Sequence, residues 1–157
     1  MTVINDKLTI SKFFASPREL VYEAWTQPEH AEKWGPGKLK MQLDYSDLRV
    51  GGTYHITMIG ENSTHVNTGV YKEIVPDEKL VFTHGWDGTN RVDTTVTVQF
   101  LNKKGGTEII LTQVGFKNQE MAASHEEGWS SALDNLDKYL HQFQARGNII
   151  DGIDAGI

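Results

Sequence analysis

Apolar positions along this chain follow two different periods. In KLTISKFF, residues 7–14, Leu8, Ile10, Lys12 and Phe14 share one parity against Lys7, Thr9, Ser11 and Phe13. That alternation marks a half-buried strand. The next stretch, SPRELVYEAW, changes to a helical period, with Leu20, Val21, Ala24 and Trp25 on one face. Ser16, with Glu19 three residues on, reads as a capping box, and Pro17 takes the first helical position. Thr26, Pro28 and Glu29 repeat the same start for PEHAEKW, which Gly35-Pro36-Gly37 ends. Two short helices are therefore expected after the first strand.

From Lys38 to Phe116 the period returns to two. GTYHITMI sets Tyr54, Ile56 and Met58 against Thr53, His55 and Thr57. EKLVFTHGW groups Leu80, Phe82, His84 and Trp86, and RVDTTVTVQF groups Val92, Thr94, Val96, Val98 and Phe100. GTEIILTQV gives Ile109, Leu111 and Gln113, blurred by Ile110 and Val114. HVNTGVYKEIV is strand-like with an open choice of inward face: Val70 and Ile74 lie on one side, Tyr71 on the other. The turn-forming stretches VGG, GENS, VPDE, WDGTN and NKKGG separate these runs, so six consecutive antiparallel strands are expected.

The last element, from about Asn118 to Phe143, is a long helix. His125, Glu126, Ala132, Leu133, Leu136, Leu140 and Phe143 cluster around Trp129 at 100° per residue. Gly128 stands inside it, where glycine costs roughly 1 kcal/mol relative to alanine. With Ser124, Ser131 and Ala132 it forms a small-residue flank, read as allowing close approach to another surface while Trp129 reaches inward. The tail, residues 145–157, is left open between disorder and docking of a short apolar strip.

The fold class expected is α+β: a curved antiparallel sheet of about seven strands, two short helices after strand 1, and a long C-terminal helix across the concave face. One domain, residues 1–144, carries it. A helix of about 26 residues spans roughly 39 Å and does not fill such a hollow alone. The gap is either closed by side chains or left as a cavity near the helix ends.

Composition narrows the function. The 157 residues carry no cysteine, which removes disulfides, thiolate catalysis and cysteine metal sites. The formal net charge is −6, with no lysine/arginine cluster, which argues against nucleic acid. MTVINDKLTI lacks a basic segment followed by an apolar run, and no stretch is long and apolar enough to span a bilayer. A cytoplasmic location is expected. The six histidines show no close pairing, so no metal site is expected, and no cofactor or catalytic motif is present.

The segments SPRELVYEAWTQPEHAEKWGPG, DLRVGGTYHITM, GVYKEIVPDEKLVFTHGW, TTVTVQF, GTEIILTQVGF and GWSSAL together resemble the SRPBCC superfamily, the START and birch-pollen-allergen-like helix-grip fold. Within it they are similar to the Hsp90-ATPase-activator-like domain, over about residues 7–141. The resemblance implies that Gly128–Trp129 is where the last helix grips the sheet. It also implies three candidate functions: binding of a small hydrophobic or aromatic ligand without catalysis, stimulation of an Hsp90-type ATPase as a co-chaperone-like partner, or polyketide cyclase- or hydrolase-like chemistry with His84 or Glu126 as the acid–base group. The candidate ligand-binding set is Trp25, Trp34, Tyr54, Met58, Phe82, His84, Trp86, Gln113, His125, Trp129 and Leu133. Pocket lining and ordinary core packing both account for these residue types. The exposed face bearing Glu127, Asp134, Asp137 and Lys138 is either solvated surface or a face for a basic partner. Monomer and homodimer both remain open.

Overall fold

The computed structural model describes the backbone of residues 2–4 and 6–154 and the side chains of residues 6–146. The elements run β1 (Thr2–Ile4), β2 (Lys7–Phe14), α1 (Arg18–Thr26), α2 (Pro28–Ala31), β3 (Lys40–Ser46), β4 (Thr53–Ile59), β5 (Thr64–Val75), β6 (Lys79–Trp86), β7 (Thr94–Lys103), β8 (Gly106–Val114) and α3 (Gln119–Asp154). All neighbours pair antiparallel in the order β1-β2-β8-β7-β6-β5-β4-β3. The seven expected strands are present, and the short β1 adds an edge to β2.

The inward parities hold on β2, β4, β6, β7 and β8. Thr107, Ile109, Leu111 and Gln113 are fully buried, whereas Val114 is exposed. On β5 a bulge between Tyr71 and Glu73 resolves the open choice of face. The extra residue switches the parity, so Tyr71 and Ile74 both pack on the core. Upstream of it, Gly69 faces Tyr54 across the strand pair. A Cβ there would lie 2.6 Å from the Tyr54 ring and 1.8 Å from the Thr83 carbonyl oxygen, so only glycine fits.

Neither expected capping residue acts as one. Ser16 is buried and its hydroxyl donates to Gln144 Oε1 on α3, at 2.8 Å, so Pro17 is left as the N-cap of α1. Thr26 turns back to donate to the Tyr22 carbonyl, and Gln27 precedes α2. In both cases a tertiary or intrahelical acceptor took the hydroxyl from the helix end. The start of α3 is capped by Asn118, whose Oδ1 accepts from Met121 N at 2.8 Å.

The α3 helix continues past the expected end at Phe143 as far as Asp154. Phe143 leaves the core stripe and is 40% exposed, its ring edge-on to His30. Docking of an apolar strip by the tail lies outside the described residues.

The core sits at one end of the hollow. Leu8, Ile10 and Phe14 of β2, Val96, Val98 and Phe100 of β7, and Ile109 and Leu111 of β8 pack under Leu133, Leu136 and Leu140 of α3. Val21, Tyr22 and Ala24 of α1 close it. Lys12 and Asp134 join β2 to α3 by an ion pair at 3.0 Å. The other end, under β3 to β6, is left hollow.

Candidate ligand cavity

Strand alternation sets one wall of the hollow. Met41 and Leu43 from β3, Tyr54, Ile56 and Met58 from β4, Asn67 and Tyr71 from β5, and Phe82, His84 and Trp86 from β6 all face it. The α1–α2 region adds Trp25, Trp34 and Pro36, and the first turns of α3 add His125, Gly128, Trp129 and Ala132. The cavity, open to solvent on one side, has a volume of about 440 Å³, within the range of small-molecule sites.

Of the candidate residues, Trp25, Trp34, Tyr54, Met58, Phe82, His84, Trp86, His125 and Trp129 line this cavity. Gln113 and Leu133 do not. Both are fully buried behind its wall, because inward parity places a residue under the helix without saying whether the helix covers it. Residues that the sequence reading missed include Met41, Leu43, Asn67 and Tyr71. The β5 bulge concealed Tyr71, and the expectation for β3 assigned no inward face.

The wall is braced by its own polar groups. Trp129 Nε1 donates to Gln113 Oε1 at 2.8 Å. Gln113 Nε2 donates to Thr94 Oγ1 at 2.8 Å, and Thr94 donates to the His84 carbonyl at 3.0 Å. Trp86 Nε1 donates to His125 Nε2 at 2.9 Å, and His125 Nδ1 donates to the Met121 carbonyl at 2.9 Å. That pair of bonds fixes His125 as the neutral Nδ1–H tautomer. Trp34 Nε1 donates to the Ala24 carbonyl, and Tyr54 donates to the Thr83 carbonyl. The rings of Trp34, Tyr54, Trp86 and Trp129 thus present carbon to the cavity while their polar atoms are tied into the wall. Trp25 stacks on Trp129 with centroids 5.8 Å apart and planes 19° from parallel.

Burial, then the neighbouring His125, lower the His84 pKa to about 3. The ring is therefore neutral at ordinary pH and a weak base. Burial raises the Tyr54 and Tyr71 hydroxyl pKa values, so both stay protonated. Glu126, the other candidate acid–base group, is not among the lining residues.

Gly128 does not permit close packing as expected. A Cβ on it would meet no atom within 4 Å, because the residue faces the hollow. The close approach occurs three residues on. Gly37 N donates to Ser131 Oγ at 2.7 Å, and Asn135 Nδ2 donates to the carbonyls of Gly35 and Gly37 at 2.8 and 3.2 Å. These bonds seat the 35–39 loop, which contributes Pro36 and Leu39 to the cavity wall. Gly37 adopts a φ of 57°, a left-handed conformation that suits glycine.

His55, expected to point outward, bonds Asp44 on β3 at 2.7 Å, while His65 stands at the exposed rim of the cavity. Bonds from Thr57, Gln42 and His55 lower the Asp44 pKa to about 2. On α3, Asp134 pairs with Lys12 of β2, and Asp137 lies 3.6 Å from His141 Nε2. Among the described residues no helix is long and apolar enough to cross a membrane.

A curved antiparallel sheet gripped by one long helix, with a cavity held between them, defines a helix-grip domain of the SRPBCC type. Solved structures share it. A protein of Chromobacterium violaceum superposes with a TM-score of 0.80 at 24% identity, covering 85% of this chain and 96% of its own. One from Mycobacterium smegmatis gives 0.77 at 24% identity, covering 88% and 92%. One from Staphylococcus epidermidis gives 0.78 at 19% identity, covering 90% and 94%. Comparison with curated proteins finds no match. Residues 15–141 match the model of the family described as "Activator of Hsp90 ATPase homolog 1-like protein", and the chain belongs to that family.

Proposed function

We propose that this protein binds a small hydrophobic or aromatic molecule in the cavity between α3 and the sheet, without chemical turnover. The observation that carries the reading is the cavity of about 440 Å³, lined largely by aromatic side chains, of which Trp34, Tyr54, Trp86 and Trp129 have their polar atoms bonded into the wall. Such a lining offers apolar surface at roughly 25 cal/mol per Å² buried. The neutral His84 is poorly suited to general-base work at neutral pH. Stimulation of a chaperone ATPase is a second reading, carried by the family description alone.

The test is titration with neutral aromatic compounds, read by tryptophan fluorescence, on the wild type and on Gly128→Leu. Because Gly128 faces open space, leucine there fills the hollow and leaves the packed core alone. Saturable quenching in the wild type, lost in the variant, is expected. Equal quenching in both proteins, or none in either, defeats the reading. A pull-down and an ATPase stimulation assay decide the chaperone reading.

A further inference from the structure

Resting on that cavity reading, we infer that the occupant is an uncharged aromatic molecule bearing a hydrogen-bond acceptor that meets the Nε2–H of His84. No Asp, Glu, Lys or Arg is among the described residues lining the cavity. A carboxylate, sulfonate or ammonium inside it would lose its water with no counter-charge, which is strongly unfavourable.

The histidines do not supply that counter-charge. His125 has both ring nitrogens engaged, and a proton on Nε2 would oppose the Trp86 N–H. His65 lines the cavity at its exposed edge, its ring against Trp86 and open to water. His84 lies at the back wall, only 7% exposed, and burial disfavours its charged form.

The direction of the hydrogen bond follows from Gln113. The Trp129 indole can only donate, so it fixes the Gln113 carbonyl oxygen toward itself. The amide nitrogen of Gln113 must then face Thr94 and His84, the latter at 3.5 Å from Nδ1. With that N–H facing it, Nδ1 is assigned as the acceptor, in competition with the His84 backbone carbonyl, which also lies within reach of the ring. The neutral ring therefore carries its hydrogen on Nε2, for which the described wall supplies no acceptor. Nearby on β5, Asn67 uses Nδ2 on the Gly85 carbonyl, leaving Oδ1 as an acceptor for a ligand hydroxyl.

Two pairs of probes test this. N-phenyl-1-naphthylamine and 1-anilinonaphthalene-8-sulfonate share one ring skeleton and differ by a sulfonate. The neutral probe is expected to bind at least about tenfold tighter, with competition between the two restricting the comparison to the cavity. 2-Acetylnaphthalene and 2-isopropylnaphthalene differ little in shape, and only the first has an acceptor. Their affinity ratio is expected to fall about fivefold or more toward the isopropyl compound in His84→Phe relative to wild type. Anionic and neutral probes competing within about threefold of each other would overturn the charge assignment and leave the cavity reading intact. A ratio unchanged in His84→Phe would overturn the assignment of Nε2–H. Should His84→Phe not fold, the wild-type sulfonate comparison still decides the charge question. No binding by N-phenyl-1-naphthylamine, the acetyl compound or the isopropyl compound would overturn the cavity reading and this inference together.

Discussion

His84 and Gln113 show how one side chain couples stability to the site. The His84 imidazole titrates near 6.5 in an unfolded chain and near 3 in the fold. Between those values the unfolded chain holds the additional proton. Stability is therefore whole above pH 6.5 and falls as the pH drops toward 3, by about 1.4 kcal/mol per unit for one proton. His84→Phe should flatten that part of the profile relative to wild type. Urea midpoints at pH 7, 6, 5 and 4 check it, and parallel profiles would remove His84 as the cause. Alternation on β8 turns Gln113 inward, which makes it a candidate ligand-binding residue. Its amide instead holds the Trp129 indole in place. Gln113→Leu leaves that N–H without its acceptor and should cost about 1–3 kcal/mol by denaturation. Strand period thus told which way a side chain points, but not what stands in front of it.

What the sequence left unread in the helices and loops has the same origin. Ser16 and Thr26 carry the residue types of helix caps, yet each found an acceptor elsewhere. Gly128 is conspicuous in a helix, and the expectation of a tight contact is natural for a glycine beside a tryptophan. The open space around it assigns a different role: its missing side chain enlarges the hollow. Gly128→Ala is therefore expected to stabilise the fold by about 1 kcal/mol through helix propensity, while weakening ligand binding. A loss of stability in thermal unfolding would show that the helix is strained at that point. The 35–39 loop is bonded to α3 through Ser131 and Asn135. Asn135→Ala removes two of those bonds. Amide hydrogen exchange across the loop should accelerate roughly thirtyfold, since each of the two net bonds is worth about 1 kcal/mol. Unchanged exchange would mean that Pro36 and Leu39 alone hold the loop.

The molecule divides its interior between two tasks. Under Leu133, Leu136 and Leu140 the sheet is closed by β2, β7 and β8, with Leu8, Ile10, Phe14, Val96, Val98, Phe100, Ile109 and Leu111 all buried. Truncations such as Leu111→Ala should cost about 2–5 kcal/mol. Under Gly128 and Trp129 the same helix meets β3 to β6 across a gap. Its backbone lacks the side chain that would close that gap. One rod spans both halves, so any occupant of the hollow half adds to the stability of the whole domain by mass action. At a ligand concentration a hundredfold above its Kd the added stability is about 2.7 kcal/mol. For a domain of this size that corresponds to a rise in Tm of roughly 5–10 °C. Gly128→Leu should show the higher Tm without ligand and no further rise with it, because the leucine occupies the space the ligand needs. A ligand-dependent rise of equal size in that variant would place the ligand somewhere other than the hollow beneath α3.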